Sequence, residues 1–174
     1  MAGGSEVPPQ PLIYLSAILK KAGFTVEIID ANALRWSLEE TVDSIIARSP
    51  KVVGITAPTM LIATAGLISE KVKGRNKDIL AVVGGPHITA VPEETMAAYP
   101  HIDIGVIGEG EITAVELMKA VSGSGKRSLD PVDGIIYRHN GGLKMTRKRE
   151  YIKDLDTLPM PDWGALPDIL SHYQ

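Results

Sequence analysis

The chain has 174 residues, 44% hydrophobic and 22% charged, which is enough for one globular domain with a sizeable core. Its formal net charge is −3 and its 18 basic residues are scattered, so no cationic stripe indicates a nucleic-acid partner. The sequence contains no cysteine, which excludes disulfides, thiolate zinc sites and iron–sulfur ligation within this chain.

The N-terminal stretch MAGGSEVPPQ has neither the basic region nor the apolar core of a signal peptide, so we expect a cytoplasmic protein. Residues 52–69 carry no charge, but Gly54, Pro58, Gly66 and several threonines interrupt them. This composition favours a buried strand followed by a buried helix over a membrane span. No membrane partner is expected.

The first third of the chain predicts a helix, a strand and a second helix. PQPLIYLSAILKKAG has apolar residues at helical spacing and ends at Gly23, a usual helix stop. FTVEIID is a short run rich in Val and Ile, which predicts a strand. SLEETVDSIIARSP opens with Ser37 and Glu40 in capping-box spacing and predicts a helix that ends before Pro50.

Three short apolar runs follow: VVGIT (52–56), ILAVV (79–83) and IGVIG (104–108). Each precedes a candidate helix, at roughly 59–73, 92–99 and 111–121. Continuous apolar strands that alternate with helices predict a doubly wound α/β fold of the flavodoxin-like kind, with a parallel sheet covered on both faces.

The pattern changes after SGSGK. GIIYRHNGGLKMTR is two short runs around Asn140, Gly141 and Gly142, which predicts a β-hairpin. The tail from residue 151 has three prolines between acidic residues and no sustained period, so it predicts an extended connector or a surface wrap. We therefore divide the chain into an α/β domain (1–125), a hairpin appendage (126–150) and a connector (151–174).

Three predicted strand ends have unusual residues: GITAPT (54–59), GGPHIT (84–89) and GEGEIT (108–113). Ligands of open parallel sheets bind at the carboxyl ends of the strands, where glycine lets a ligand approach the backbone. Each segment also has a purely structural explanation, such as a tight turn, a helix cap or a favourable helix dipole. Their recurrence on one edge favours a binding site.

Competing motifs fail on spacing. SGSGKRS has Ala120 where a phosphate loop needs its first glycine and Arg127 where it needs Ser or Thr, so it predicts a flexible loop. No G-x-G-x-x-G follows a strand, and neither G-x-S-x-G nor H-E-x-x-H is present.

The blocks PPQPLIYLSAILKKAGFTVEIIDA, VVGITAPT, ILAVVGGPHITAVPEE, IDIGVIGEGE and YIKDLDTLPMPDW, in this order, carry a family resemblance. The chain resembles the N-terminal cobalamin-binding region of cobalamin-dependent radical SAM proteins, which include methyltransferases and the anaerobic magnesium-protoporphyrin monomethyl ester cyclase type. The GGPH and GEGE blocks in tandem are its most specific parts. The resemblance implies a domain that binds cobalamin and is not catalytic alone.

By this resemblance the corrin lies over the carboxyl edge of the sheet and the nucleotide tail of the cofactor runs into a groove among the strands. Small and polar residues at the strand ends would contact the cofactor, and none would be catalytic or bind the cobalt. The expected contacts are Pro8, Pro9, Thr56, Pro58, Thr59, Gly84, Gly85, Pro86, His87, Thr89, Gly108, Glu109, Gly110 and Glu111.

Two departures from the family pattern affect the expected partners. Only seven residues precede Pro8, so the usual first strand is expected to be missing, with self-association or a rearranged sheet as the result. The three-cysteine cluster motif of a radical SAM domain is also missing, so S-adenosylmethionine and a 4Fe-4S cluster would belong to an absent partner domain. The chain thus resembles an excised domain or one read from an internal start.

Two alternatives remain open on the residues alone. A regulatory module of the response-regulator type needs a phosphorylatable aspartate at the end of a central strand, whereas VVGIT ends in threonine. An inert interaction scaffold leaves three glycine-bearing strand ends unexplained.

Overall fold

The computed structural model describes residues 7–123, 128–166 and 173. The predicted loop around SGSGKRS and the end of the predicted connector lie partly outside these residues. The helices are α1 (Gln10–Lys21), α2 (Leu38–Arg48), α3 (Ile62–Arg75), α4 (Pro86–Ala90), α5 (Pro92–Ala98) and α6 (Gly110–Ser122). The strands are β1 (Val52–Thr56), β2 (Leu80–Gly84), β3 (Ile104–Val106), β4 (Ile135–His139) and β5 (Gly142–Met145).

Local signals end and begin the first two helices as predicted. Gly23 has a φ of 89°, its N–H donates to the Lys20 carbonyl, and the Phe24 N–H donates to the Leu19 carbonyl. This is the bond pattern of a Schellman motif, which satisfies the last carbonyls of α1. At the start of α2, Ser37 and Glu40 form both bonds of a capping box.

The five strands form one sheet in the order β1-β2-β3-β4-β5. β1, β2 and β3 are parallel, with Thr56 opposite Gly84 at their carboxyl ends. β4 pairs antiparallel with β3, and β5 pairs antiparallel with β4. The predicted hairpin is therefore present, and Asn140 and Gly141 both have the positive φ that a type I′ turn requires. The first strand of the hairpin, β4, pairs with β3 and so continues the main sheet. The division of the chain into three domains stays a prediction.

The prediction of a strand at FTVEIID is wrong. Residues 24–30 have no ladder partner among the described residues, although Phe24, Val26 and Ile28 are half-buried in alternation with exposed Thr25 and Glu27. β-propensity reports how well side chains fit a half-buried surface, whereas a strand also needs a neighbouring backbone. In the described part of the chain, β1 is an edge strand whose only ladder partner is β2.

Helices cover both faces of the sheet, as a doubly wound fold requires. On one face, Leu117 and Val121 of α6 pack with Val82, Ile104 and other strand residues, and α1 lies against α6. On the other face, residues of α2 to α5 pack against the alternate side chains of the same strands. In the described residues, no helix is both long and apolar enough to cross a bilayer.

Candidate functional site

The loops after β1, β2 and β3 meet at the carboxyl edge of the parallel strands, and we call residues 57–61, 85–91 and 107–111 the rim. The first two loops are joined by the Ala57 N–H, which donates to the Gly84 carbonyl at 3.0 Å. They are joined again at the surface, where Nδ1 of His87 lies 3.2 Å from Oγ1 of Thr59. His87 is thus held by a neighbouring hydroxyl.

Gly85 is required by the backbone of the second loop. Its φ is 105°, and a Cβ at this position would lie 3.0 Å from both the N and the O of Ala57. The next residue, Pro86, begins the short helix α4, which the sequence did not predict separately. Gly85 therefore allows β2 to turn sharply into α4 while touching the first loop.

The second and third loops are joined by Thr89, whose Oγ1 accepts from the Gly108 N–H at 3.0 Å. Gly108 has a φ of 80°, and a Cβ built on it would meet nothing within 4 Å. Since all three loops are tied in series, the rim is one hydrogen-bonded unit.

Glu109 and Glu111 have different environments at the start of α6. Oε2 of Glu109 accepts from the Ile152 N–H at 2.7 Å, so this carboxylate holds the connector. Oε2 of Glu111 is buried and has no hydrogen-bond partner within the described residues. Buried acceptors are normally satisfied, so this oxygen is a candidate ligand contact.

Below the rim, on the sheet face where α6 packs, the strands are bare of side chains at Gly54 and Gly84, and we call this surface the cleft. Val52 packs with the α6 residues of this face, and strand alternation places Gly54 and Thr56 on the same side. Gly54 is exposed, and an added Cβ would meet nothing within 4 Å. On β2, a Cβ at Gly84 would be 3.7 Å from Cβ of Val106. The cleft therefore has a floor of backbone over two adjacent strands.

A cavity of about 290 Å³ lies at the amino ends of β1 and β2, on the same face of the sheet. The cavity is lined by Lys51, Val52, Asp78, Leu80, Val121, Ser122 and Gly123. Gly54 was not among the contacts predicted from the sequence, although a glycine within an apolar strand run is a signal for close approach of a ligand.

Pro8 and Pro9 lie immediately before α1, and the Pro9 carbonyl accepts from the Leu12 N–H of its first turn at 2.9 Å. Pro58 precedes a 3₁₀ turn, Thr59–Leu61, that leads into α3. Gly110, the first residue of α6, lies close to α1, because its Cβ would be 3.6 Å from Cδ2 of Leu15. Every candidate contact thus lies at a strand end or at the start of an adjoining helix, and their contact with a cofactor remains a prediction.

Comparison with known proteins gives three concordant similarities. The family model described as the B12 binding domain matches residues 2–118. An uncharacterized methyltransferase of Pyrococcus horikoshii is 35% identical over 164 residues, 94% of this chain and 35% of the relative. The anaerobic magnesium-protoporphyrin IX monomethyl ester cyclase of Rubrivivax gelatinosus is 35% identical over 172 residues, 95% of this chain and 31% of the relative.

A similar fold occurs in the radical S-adenosylmethionine methyltransferase TsrM of Kitasatospora setae, a structure with cobalamin and a 4Fe-4S cluster bound. The TM-score is 0.70 at 23% identity, over 89% of this chain and 28% of that chain. The chain spans about a third of the length of the two curated relatives, with 35% and 31% of them covered.

Proposed function

The chain belongs to the B12-binding domain family, and from this premise we propose that cobalamin occupies the rim and the cleft below it. The observation that carries the proposal is the backbone floor formed by Gly54 and Gly84 beneath the rim, because side chains at these positions would fill the cleft. An elongated cofactor tail fits along such a backbone floor.

The polar groups of the rim fit the periphery of a corrin, which carries primary amides that both donate and accept hydrogen bonds. The unpaired Oε2 of Glu111 needs a donor, and an amide N–H supplies one. Thr56, Thr59 and Thr89 have hydroxyls that can donate or accept. We therefore assign hydrogen-bonding roles to these residues, and steric roles to the glycines and prolines of the candidate set.

His87 completes the rim without binding the metal. Its Nδ1 is already paired with Oγ1 of Thr59, which supports a role in orienting the loop or bonding an amide. When bound, cobalamin supplies a cobalt centre that can carry a methyl group or assist radical chemistry.

We further propose that this domain works with a radical SAM domain, which would supply S-adenosylmethionine and a 4Fe-4S cluster. The support is the similarity to a methyltransferase and to the cyclase, both about three times as long as the matched region. A partnership with an iron–sulfur domain favours a location in the reducing environment of the cytoplasm. Fractionation of the native host, with an antibody to this domain, tests the location.

The binding proposal is tested with the purified chain and hydroxocobalamin. Cobalamin retained on the protein through gel filtration should be visible in the absorption spectrum at a ratio near one per chain. Phosphorylation by acetyl phosphate without cobalamin retention would instead favour a response-regulator module. A chain that retains neither ligand contradicts both readings.

The edge of β1 that has no ladder partner among the described residues supports a second proposal, self-association through this strand. An unpaired strand edge offers N–H and C=O groups to another chain. β5 is the opposite edge and provides a matched control, because its exposed Lys144 protects an edge against pairing. Sedimentation velocity should show a dimer. Hydrogen exchange of the β1 amides should become slower as the protein concentration rises, while exchange of the β5 amides does not change. A monomer at high concentration contradicts the proposal.

A further inference from the structure

Residues 149–166, here called the strap, run from α6 to α1, two helices that pack against each other. At its start, Nε of Arg149 donates to Oγ1 of buried Thr113 at 2.7 Å, and Arg149 also pairs with Glu116. The Ile152 N–H then donates to Glu109 at 2.7 Å. The first anchor of the strap is therefore the N-terminal half of α6.

The second anchor is Asp162, which bonds three groups on one face of α1. Its Oδ2 accepts from Oγ of Ser16 and from Nζ of Lys20, each at 2.7 Å. Its backbone N–H donates to the Ile13 carbonyl at 3.1 Å. Ile13 and Ser16 are fully buried, so this face of α1 is covered. The spacing of these residues by three and four positions matches one side of a helix.

The strap is one of the two main packing partners of α1. In the described part of the chain, α1 packs mainly against α6 and against the 3₁₀ turn Trp163–Ala165 of the strap. Leu166, immediately after this turn, is buried. A helix held mainly by another helix and a strap opens more easily than one packed broadly on a sheet, because its displacement breaks fewer apolar contacts.

We propose that the strap holds α1 against α6 beside the rim, where Leu15 of α1 lies close to Gly110, with Asp162 as a positioning residue for retention of the ligand. The inference rests on the proposed function, because it takes cobalamin as that ligand. Asp162 acts through α1 and has no direct contact with the cleft. A segment that served only as a connector would not need the bonds that Asp162 forms to Ser16, Lys20 and the Ile13 carbonyl.

The primary experiment compares Asp162→Ala with Asp156→Ala. Asp156 is in the same strap and carries the same charge, but it is exposed, and within the described residues its one bond runs from its backbone N–H to Oδ1 of Asp154. Hydrogen exchange of the cofactor-free protein should be about tenfold faster in α1 for Asp162→Ala, since charge-assisted hydrogen bonds are lost. Exchange in α3 should not change, which shows that the fold is intact. Asp156→Ala should match the parent in both helices.

The second measurement is the rate at which bound cobalamin dissociates. Asp162→Ala should release it about tenfold faster, whereas Asp162→Asn should fall between the parent and Asp162→Ala because it keeps an acceptor for Ser16. Unchanged exchange in α1, or faster exchange with an unchanged dissociation rate, overturns the inference. If the parent does not bind cobalamin, the proposed function fails, and hydrogen exchange alone then decides whether the strap holds α1.

Discussion

Replacing Gly54 with valine should separate ligand binding from folding. The added Cβ would meet nothing within 4 Å, and Gly54 lies in a β-strand without a positive φ. Valine is favoured in strands over glycine by up to about 1 kcal/mol. The cofactor-free variant should therefore be as stable as the parent or slightly more stable.

The same side chain would occupy the cleft that we assign to cobalamin. Forcing extra methyl groups into a filled site costs about 1–3 kcal/mol, which corresponds to roughly 5- to 150-fold in affinity. We expect cobalamin affinity to fall by at least about fivefold, measured by equilibrium dialysis, while thermal unfolding followed by circular dichroism is not impaired.

The control is Gly74→Ala, at an exposed position of α3 where an added Cβ also meets nothing. It should raise stability by about 0.5–1 kcal/mol and leave affinity unchanged. Gly85→Val is a poorer test, because its positive φ and the nearby backbone of Ala57 would strain the fold itself. Parental affinity in Gly54→Val protein would refute the assignment of the cleft.

Three further predictions follow from other contacts. Gly105→Ala should destabilise the protein by about 1–3 kcal/mol in urea unfolding, since its Cβ would overlap the Ile88 side chain; an unchanged midpoint would contradict this packing. The hydrogen bond from the Lys20 ammonium lowers the pKa of Asp162 below its ordinary value of 3.8. The stability that this carboxylate contributes is therefore complete above pH 3.8, the ordinary value, and is lost as the pH falls through the lower pKa of the folded state. The difference in stability between parent and Asp162→Asn should accordingly shrink in acid, and a constant difference would argue against the ion pair. The Co(II) form of the cobalamin-bound protein should show no nitrogen triplets in electron paramagnetic resonance; triplets that vanish in His87→Ala would mean that His87 binds the cobalt.

The sequence determined the features that depend on near neighbours. Gly23 ends α1 and Ser37 with Glu40 begins α2, because these signals act within one helical turn. The apolar runs of β1, β2 and β3 and the turn at Asn140 were likewise predictable from local composition. The family resemblance, carried by the GGPH and GEGE blocks, is confirmed by the match to the B12 binding domain.

Tertiary structure alone decided which distant groups meet. Residues 24–30 have the composition of a strand but no ladder partner in the described chain, and hydrogen bonds between strands cannot be read from one strand. Oε2 of Glu109 accepts from the N–H of Ile152, 43 positions away, and the expected contact of Glu109 with the cofactor stays a prediction. Asp162 meets Ser16 across 146 positions. Such pairings depend on how the helices pack on the sheet, and a local pattern contains no information on partners so far along the chain.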